Sequence, residues 1–283
     1  MQILRSVRDM RAFSRTSKQH GRTVAFVPTM GALHEGHLSL IGQAKAAADV
    51  VAVSIFVNPT QFGPNEDLAR YPRPFERDVQ LLEVEGVHAL FYPEVSEMYP
   101  AGATTFVHVT GLEDRLDGAS RPGHFRGVAT VVSKLFHAVE PDLAFFGQKD
   151  AAQHAVIRRM VRDLDLPIEV HIGEIVREPD GLALSSRNVY LSQEDRKRAL
   201  VLSRALTHVR DLADQGLRDS AELIAAALNV FAAEPSVRVD YVAIVDPDEL
   251  TAVPDVDRGA LVAVAAFVGT TRLIDNLVLP RRA

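Results

Sequence analysis

Two histidines, His34 and His37, bracket Gly36 in the segment Pro28-Thr29-Met30-Gly31-Ala32-Leu33-His34-Glu35-Gly36-His37. A spacing of three places both imidazoles on one side of the first turn of a helix. Gly36 lets a ligand approach the backbone, and Gly31 can take positive φ. The free N–H groups of a helix start favour an anion. Two imidazoles and free amides together make a cradle for phosphate. Taken alone, two surface histidines near a helix start would also produce the motif, so its setting matters. The apolar run 24–27 before it reads as the end of a buried strand. Pro28 is expected to stop that strand, because it cannot donate to the ladder. From Leu33 onward the apolar positions Leu33, Leu38, Leu40 and Ile41 have helical spacing. Strand, glycine turn and helix start is the arrangement that binds nucleotides in open parallel sheets.

A second such arrangement is Phe145-Phe146-Gly147-Gln148-Lys149-Asp150. It puts Lys149 beyond the carboxyl end of a strand, on the same expected rim as the histidines, where a lysine can set a point charge on phosphate. Asp150 is suited to accept from a ribose hydroxyl; a surface lysine and a capping aspartate would read the same way. Ser185-Ser186-Arg187-Asn188, after Gly181, offers two hydroxyls and a guanidinium that can clamp a polyphosphate. A turn cap is the alternative there. Asn58, Gln61 and Gln153 carry neutral amides near strand ends, which donate and accept at once and suit a hydroxy acid. Asp78 reads equally as a metal-side carboxylate or as part of a solvated helix face. His124, on a long polar stretch, reads as structural or loop-fixing.

The elements that must position these residues follow from the apolar pattern. Helices are expected over 6–19, 33–48, 75–85, 128–139 and 150–164, and strands over 23–27, 50–57, 89–92, 143–146 and 168–176, with an added strand at 104–109. The run 50–57 is nearly all apolar and β-branched, as in a parallel strand buried on both faces. Alternating strands and helices are the signature of a doubly wound α/β domain. The stretch 112–128 reads as a long loop, and loops of that length usually have a function. Beyond residue 175 the character changes to helices at 193–215 and 220–233, then antiparallel strands at 239–245, 261–268 and 271–279. Two domains are therefore expected, 1–175 and 176–283.

The 283 residues are 47 % hydrophobic and 24 % charged, ordinary for a globular chain with a sizeable core. Cysteine is absent, which excludes a disulfide framework and thiolate-bound metal and suits a reducing cytoplasm. The first ten residues lack the apolar core of a signal peptide, and no run is long enough for a membrane span. The net charge of −6 argues against a nucleic-acid partner.

The segments 28–37, Phe56-Val57-Asn58-Pro59-Thr60-Gln61-Phe62, Arg121-Pro122-Gly123-His124-Phe125-Arg126-Gly127-Val128, 146–150 and 185–188 resemble, in order, the motifs of the pantoate–β-alanine ligase family. That family belongs to the wider nucleotidyltransferases with a histidine-x-glycine-histidine motif. The resemblance implies a Rossmann-like nucleotide-binding domain with a smaller C-terminal α+β lid. It implies ATP and Mg²⁺, pantoate and β-alanine as small-molecule substrates, and a homodimer. Pantoate would be adenylated on its carboxylate, and β-alanine would then displace AMP to give pantothenate. His37 (as proton donor), His34, Lys149 and Arg187 would be catalytic. ATP would touch Met30, Gly31, Ala32, Leu33, His34, Glu35, Gly36 and His37. It would also touch Gly147, Gln148, Lys149, Asp150, Val176, Leu184, Ser185, Ser186 and Arg187. Gln61 and Gln153 would bind pantoate, with Gln61 also near β-alanine. Leu184 stands where most members carry methionine, a change an aliphatic contact to adenine should survive. Two rivals are a nucleotidyltransferase for a phosphorylated acceptor, which would want more basic residues near Gln61 and Gln153, and a nucleotide sensor without turnover.

Overall fold

The computed structural model describes residues 1–64 and 66–282. The chain forms two compact units: Met1–Gly147 with Val156–Glu174, and Gln148–Ala155 with Ile175–Ala283. In chain order the first unit begins with β1 (Gln2–Leu4), α1 (Val7–Gln19), β2 (Val24–Thr29), α2 (Glu35–Ala47) and β3 (Val50–Ile55). It continues with α3 (Phe75–Val84), β4 (Ala89–Phe91), the short α4 (Val95–Met98) and α5 (Asp117–Ser120), α6 (His124–Val139) and β5 (Leu143–Gly147). α7 (Ala151–Asp163) passes from the second unit back into the first, which closes with β6 (Glu169–Gly173).

The sheet of the first unit runs β1-β4-β3-β2-β5-β6, and every pairing is parallel. After β2 the chain lays β3 and β4 to one side, and β5 and β6 later go to the other. The switch point of the topology is therefore the crevice at the ends of β2 and β5, where open α/β sheets bind ligands. β3 is buried along its whole length, as its unbroken apolar run requires. Leu33, Leu40 and Ile41 pack with Val51, Val53 and Leu82 in one core cluster.

Three expectations change. β2 extends two residues beyond the expected strand and contains Pro28, paired with Ser54. Thr29 turns its carbonyl to Phe56 on the β3 side, so Pro28 faces the other edge, where β5 pairs only with Ala25 and Phe26; the missing N–H costs no ladder bond. Residues 104–109 form no strand; the Val107 N–H is taken by the Thr130 hydroxyl. α6 starts at His124 behind Gly123, at φ 82°, four residues before the apolar pattern suggests. β1, a short edge strand beside β4, is absent from the sequence reading.

The second unit adds α8 (Gln193–Asp214), α9 (Ser220–Ala232) and the antiparallel strands β7 (Val237–Val245), β8 (Ala260–Val268) and β9 (Thr271–Leu279), in the order β7-β8-β9. Leu202, Leu206 and Val209 of α8 and Leu223 of α9 pack with Val262, Val264 and Ala266 of β8 in its core. Among the described residues no helix is long and apolar enough to cross a membrane.

Candidate active site

The loop after β2 carries the histidine motif, and its amides are already used. The Gly31 N–H donates to Thr29 Oγ1 at 3.1 Å, whose own hydroxyl donates to the Ser54 carbonyl at 2.7 Å. The Ala32 and Leu33 N–H groups donate to Asp78 Oδ2 and Oδ1, both at 2.8 Å. His34 is the N-cap of α2, just before its first turn, and His37 is the third residue of the helix. His34 Nδ1 accepts the Gly36 N–H at 3.2 Å and His37 Nδ1 accepts the His34 N–H at 3.3 Å. This is a capping box built from two imidazoles rather than a hydroxyl and an acid. The rings lie 4.1 Å apart and are tilted by 34°. An Nδ1 that accepts leaves the ring proton on Nε2. The amides of residues 31–34 and 36 are thus bound to protein acceptors, so they are not the free donors expected of a phosphate cradle.

Asp78 is not on a solvated face. It is 1 % exposed and holds two backbone amides. Burial pushes its carboxyl above the usual range, and the bonds from Leu33 and Ala32 offset this only in part.

Gln61 sits in a 3₁₀ turn, Pro59–Gln61, after β3. Its Nε2 donates to Met30 Sδ at 3.2 Å and its Oε1 accepts from Asn58 Nδ2 at 3.0 Å. The structure thus brings Gln61, Asn58 and Met30 together. The turn packs hard on α6: a Cβ on Gly127 would lie 2.4 Å from the Thr60 carbonyl oxygen. His124 fixes the same turn, as expected for a loop-fixing residue. Its Nδ1 is 2.8 Å from the Gln61 carbonyl and its Nε2 is 3.0 Å from Arg121 Nη1. A guanidinium only donates, so Nε2 accepts and Nδ1–H donates to the carbonyl. Burial, followed by the Arg121 charge, pushes His124 down to about 4 and keeps it neutral. Arg121 is also paired through two bonds with Glu66, at 2.6 and 2.7 Å. Burial works to raise the Glu66 carboxyl, but the bond and charge of Arg121 prevail and hold it below its ordinary range.

In the second unit, Lys149 Nζ lies 3.3 Å from both Asp150 oxygens. Asn276 of β9 holds this turn. Its Nδ2 donates to the carbonyls of Gln148 (3.0 Å) and Lys149 (2.9 Å), and its Oδ1 accepts from Gln148 Nε2 (2.9 Å). Asn276 is 3 % exposed and lies 127 residues from Lys149 in sequence, so no local pattern marks it. Neighbouring Asp275 takes Arg177 through both oxygens, at 2.6 and 2.9 Å. The Leu184 N–H donates to the Val176 carbonyl at 3.0 Å, which brings those two expected ATP contacts together. Ser185 caps a 3₁₀ turn, Ser186–Tyr190, accepting the Arg187 N–H at 3.2 Å. Asn188 ties the turn to Glu178 and to the Ala183 carbonyl, and Glu178 is held in turn by Arg196. Gln153 lies half-buried in the first turns of α7, and Gly147 ends β5 beside Gly173 of β6.

A parallel sheet whose strand order reverses at β2, with a helix start following it, is a doubly wound α/β unit with its ligand crevice at that switch point. Comparison with known proteins narrows this class. The family model described as pantoate-beta-alanine ligase matches residues 2–278, and the chain belongs to that family. A curated relative from Acidobacterium capsulatum, named pantothenate synthetase, is 64 % identical over 91 % of this chain and 86 % of its own length. The crystal structure of pantothenate synthetase from Thermus thermophilus superposes with a TM-score of 0.93 at 51 % identity, covering 98 % of this chain and 99 % of that one. A ligase from Francisella tularensis, complexed with beta-gamma ATP and beta-alanine, gives a TM-score of 0.80 at 33 % identity, covering 98 % of this chain and 97 % of that one.

Proposed function

We propose that this protein condenses pantoate with β-alanine to pantothenate, using ATP and passing through pantoyl adenylate. The observation that carries the reading is the seating of Gln61 against Met30. It puts an amide suited to a hydroxy acid against the loop that leads into two imidazoles suited to phosphate. In the first step a pantoate carboxylate oxygen attacks the α-phosphorus of ATP and pyrophosphate leaves. In the second the β-alanine amine attacks the acyl carbon, AMP leaves and the amine loses a proton.

No side-chain nucleophile is needed, so positioning and neutralisation of phosphate charge carry the catalysis. His34 and His37 donate through Nε2, and His37 is the donor, of a hydrogen bond or a proton, to the phosphate that departs. Lys149 and Arg187 add positive charge. Residues 30–37, 147–150, Val176 and 184–187 bind ATP; Gln61 and Gln153 bind pantoate, with Gln61 also near β-alanine. Residues 1–175 would act as the nucleotide- and pantoate-binding domain and 176–283 as the lid.

Mg²⁺ would enter on the phosphate oxygens of ATP. Both Asp78 oxygens are occupied by amides, and among the described residues no group of three or more histidine or acidic side chains is arranged for a metal. The family resemblance also supports a homodimer in the cytoplasm.

The test is exchange of labelled pyrophosphate into ATP with pantoate and Mg²⁺ present and β-alanine absent. Exchange is expected, because the first step is complete and reversible before the amine is needed. A requirement for β-alanine, or release of ADP and orthophosphate, would overturn the adenylate route. Exchange with a phosphorylated acceptor in place of pantoate would point to a nucleotidyltransferase instead.

A further inference from the structure

The loop between β2 and α2 has a backbone shape that needs an explanation. Gly31 and Ala32 both lie in the left-handed region, at φ 84° and 52°. Glycine takes that conformation freely, but an alanine there is sterically strained and persists only where its surroundings hold it. Ala32 and Leu33 are buried, yet Met30 and Gly31 border a cavity of about 210 Å³ whose walls include Ile55, Phe75 and Asp78.

The restraint is the Asp78 carboxylate, which reaches across from the first turn of α3. It is almost fully buried, and each oxygen takes one amide of the pair that follows Gly31. A Cβ on Gly31 would lie 3.0 Å from Asp78 Oδ2, so the loop closes directly on the acid. Two adjacent N–H donors need two acceptors, which a carboxylate supplies and an amide side chain does not. His34 and His37 begin immediately after these two amides.

We propose that Asp78 is a positioning residue for adenylate formation. It clamps the backbone of residues 31–33 in the strained form, so that the histidine pair presents its Nε2–H groups to the nucleotide phosphates. The proposal rests on the reading of this loop as the nucleotide site. Asp78 touches no substrate in this role; its oxygens are committed to the loop.

Asp78→Asn, which keeps the size but sets a donor against a donor, and Asp78→Ala test the clamp. Three quantities decide: pyrophosphate exchange, pantoate affinity by calorimetry, and thermal melting. The expected result is a fall in exchange of about 10–100-fold, the scale of an ångström of misplacement, with pantoate affinity changed less than about threefold and a folded protein at the assay temperature. A lowered melting temperature with wild-type exchange per folded molecule would reduce Asp78 to a stability role and overturn the proposal. Should neither variant fold, amide NMR of the wild type decides. Protection of the Ala32 and Leu33 amides should be unchanged on adding a non-hydrolysable ATP analogue. Transfer of those amides to the nucleotide would overturn the clamp. Absence of exchange in the wild type would sink the function reading itself, whereas an active wild type matched by Asp78→Asn sinks only this inference.

Discussion

Replacing His124 by asparagine should remove a loss of stability in acid. In the fold the ring is buried, donates Nδ1–H to the Gln61 carbonyl and accepts from Arg121 through Nε2. A proton added at Nε2 would face a guanidinium, and burial and that charge set the folded pKa at about 4 against 6.5 for the free side chain. The folded pKa is depressed, so the stability is fully present above pH 6.5 and is lost as pH falls toward 4. At pH 5 the unfolded imidazole is nearly all protonated and the folded one nearly all neutral. Linkage then makes the wild type about 2 kcal/mol less stable at pH 5 than at pH 7.5 through this group alone. Asparagine does not titrate, and its amide nitrogen can donate from near the Nδ1 position. Urea denaturation of both proteins at the two pH values, followed by far-ultraviolet circular dichroism, gives a difference of differences in which the shared carboxylates cancel. The wild type should lose about 2 kcal/mol more than His124→Asn. Equal losses would refute the buried neutral imidazole and the account of how Gln61 is held.

Three further outcomes follow from the site. Gly127→Ala must push back the turn of Gln61, since its Cβ would meet the Thr60 carbonyl oxygen at 2.4 Å; denaturation should show a cost of about 1–3 kcal/mol and calorimetry a weaker grip on pantoate. His37→Ala and Lys149→Ala should each lower pyrophosphate exchange about 10²–10³-fold, the usual loss for one transition-state donor, with the circular dichroism spectrum unchanged; near-normal exchange in either would remove that residue from the site. Asn276→Asp keeps the shape but cannot donate to the Gln148 and Lys149 carbonyls, and exchange should fall about tenfold or more while pantoate affinity holds.

The sequence made the centre of the parallel core legible because the strands there carry continuous apolar runs, as in 50–57, and the histidine motif stood out because it follows one of them. The antiparallel strands at the end were equally plain, with β9 expected and found at Thr271–Leu279. What escaped was set by contacts remote in the chain. Asp78 looked like any acid on a helix, and only its reach to amides 45 and 46 residues away shows what it does. Asn276 sits beside Asp275 in β9, and nothing in the local pattern sets its amide apart from the other polar residues of that strand. The start of α6 was obscured because Gly127, a poor helix former, is demanded by the backbone it touches. Pro28 misled because a rule about ladder donors was applied without knowing which edge the residue faces. The free amides expected at the start of α2 failed for a related reason: the histidines spend their own Nδ1 atoms on capping it.

The clamp on Lys149 also sets an order of events during synthesis. A chain emerging from the ribosome has every strand of the parallel sheet once Gly173 is free, and can fold that part while the rest is still being made. The turn at Gln148 and Lys149 has also been made by then, yet its restraint, Asn276, lies in the last strand to appear. A nascent or truncated chain that stops before β9 would carry the histidine pair and the lysine without the bonds that fix the lysine's backbone.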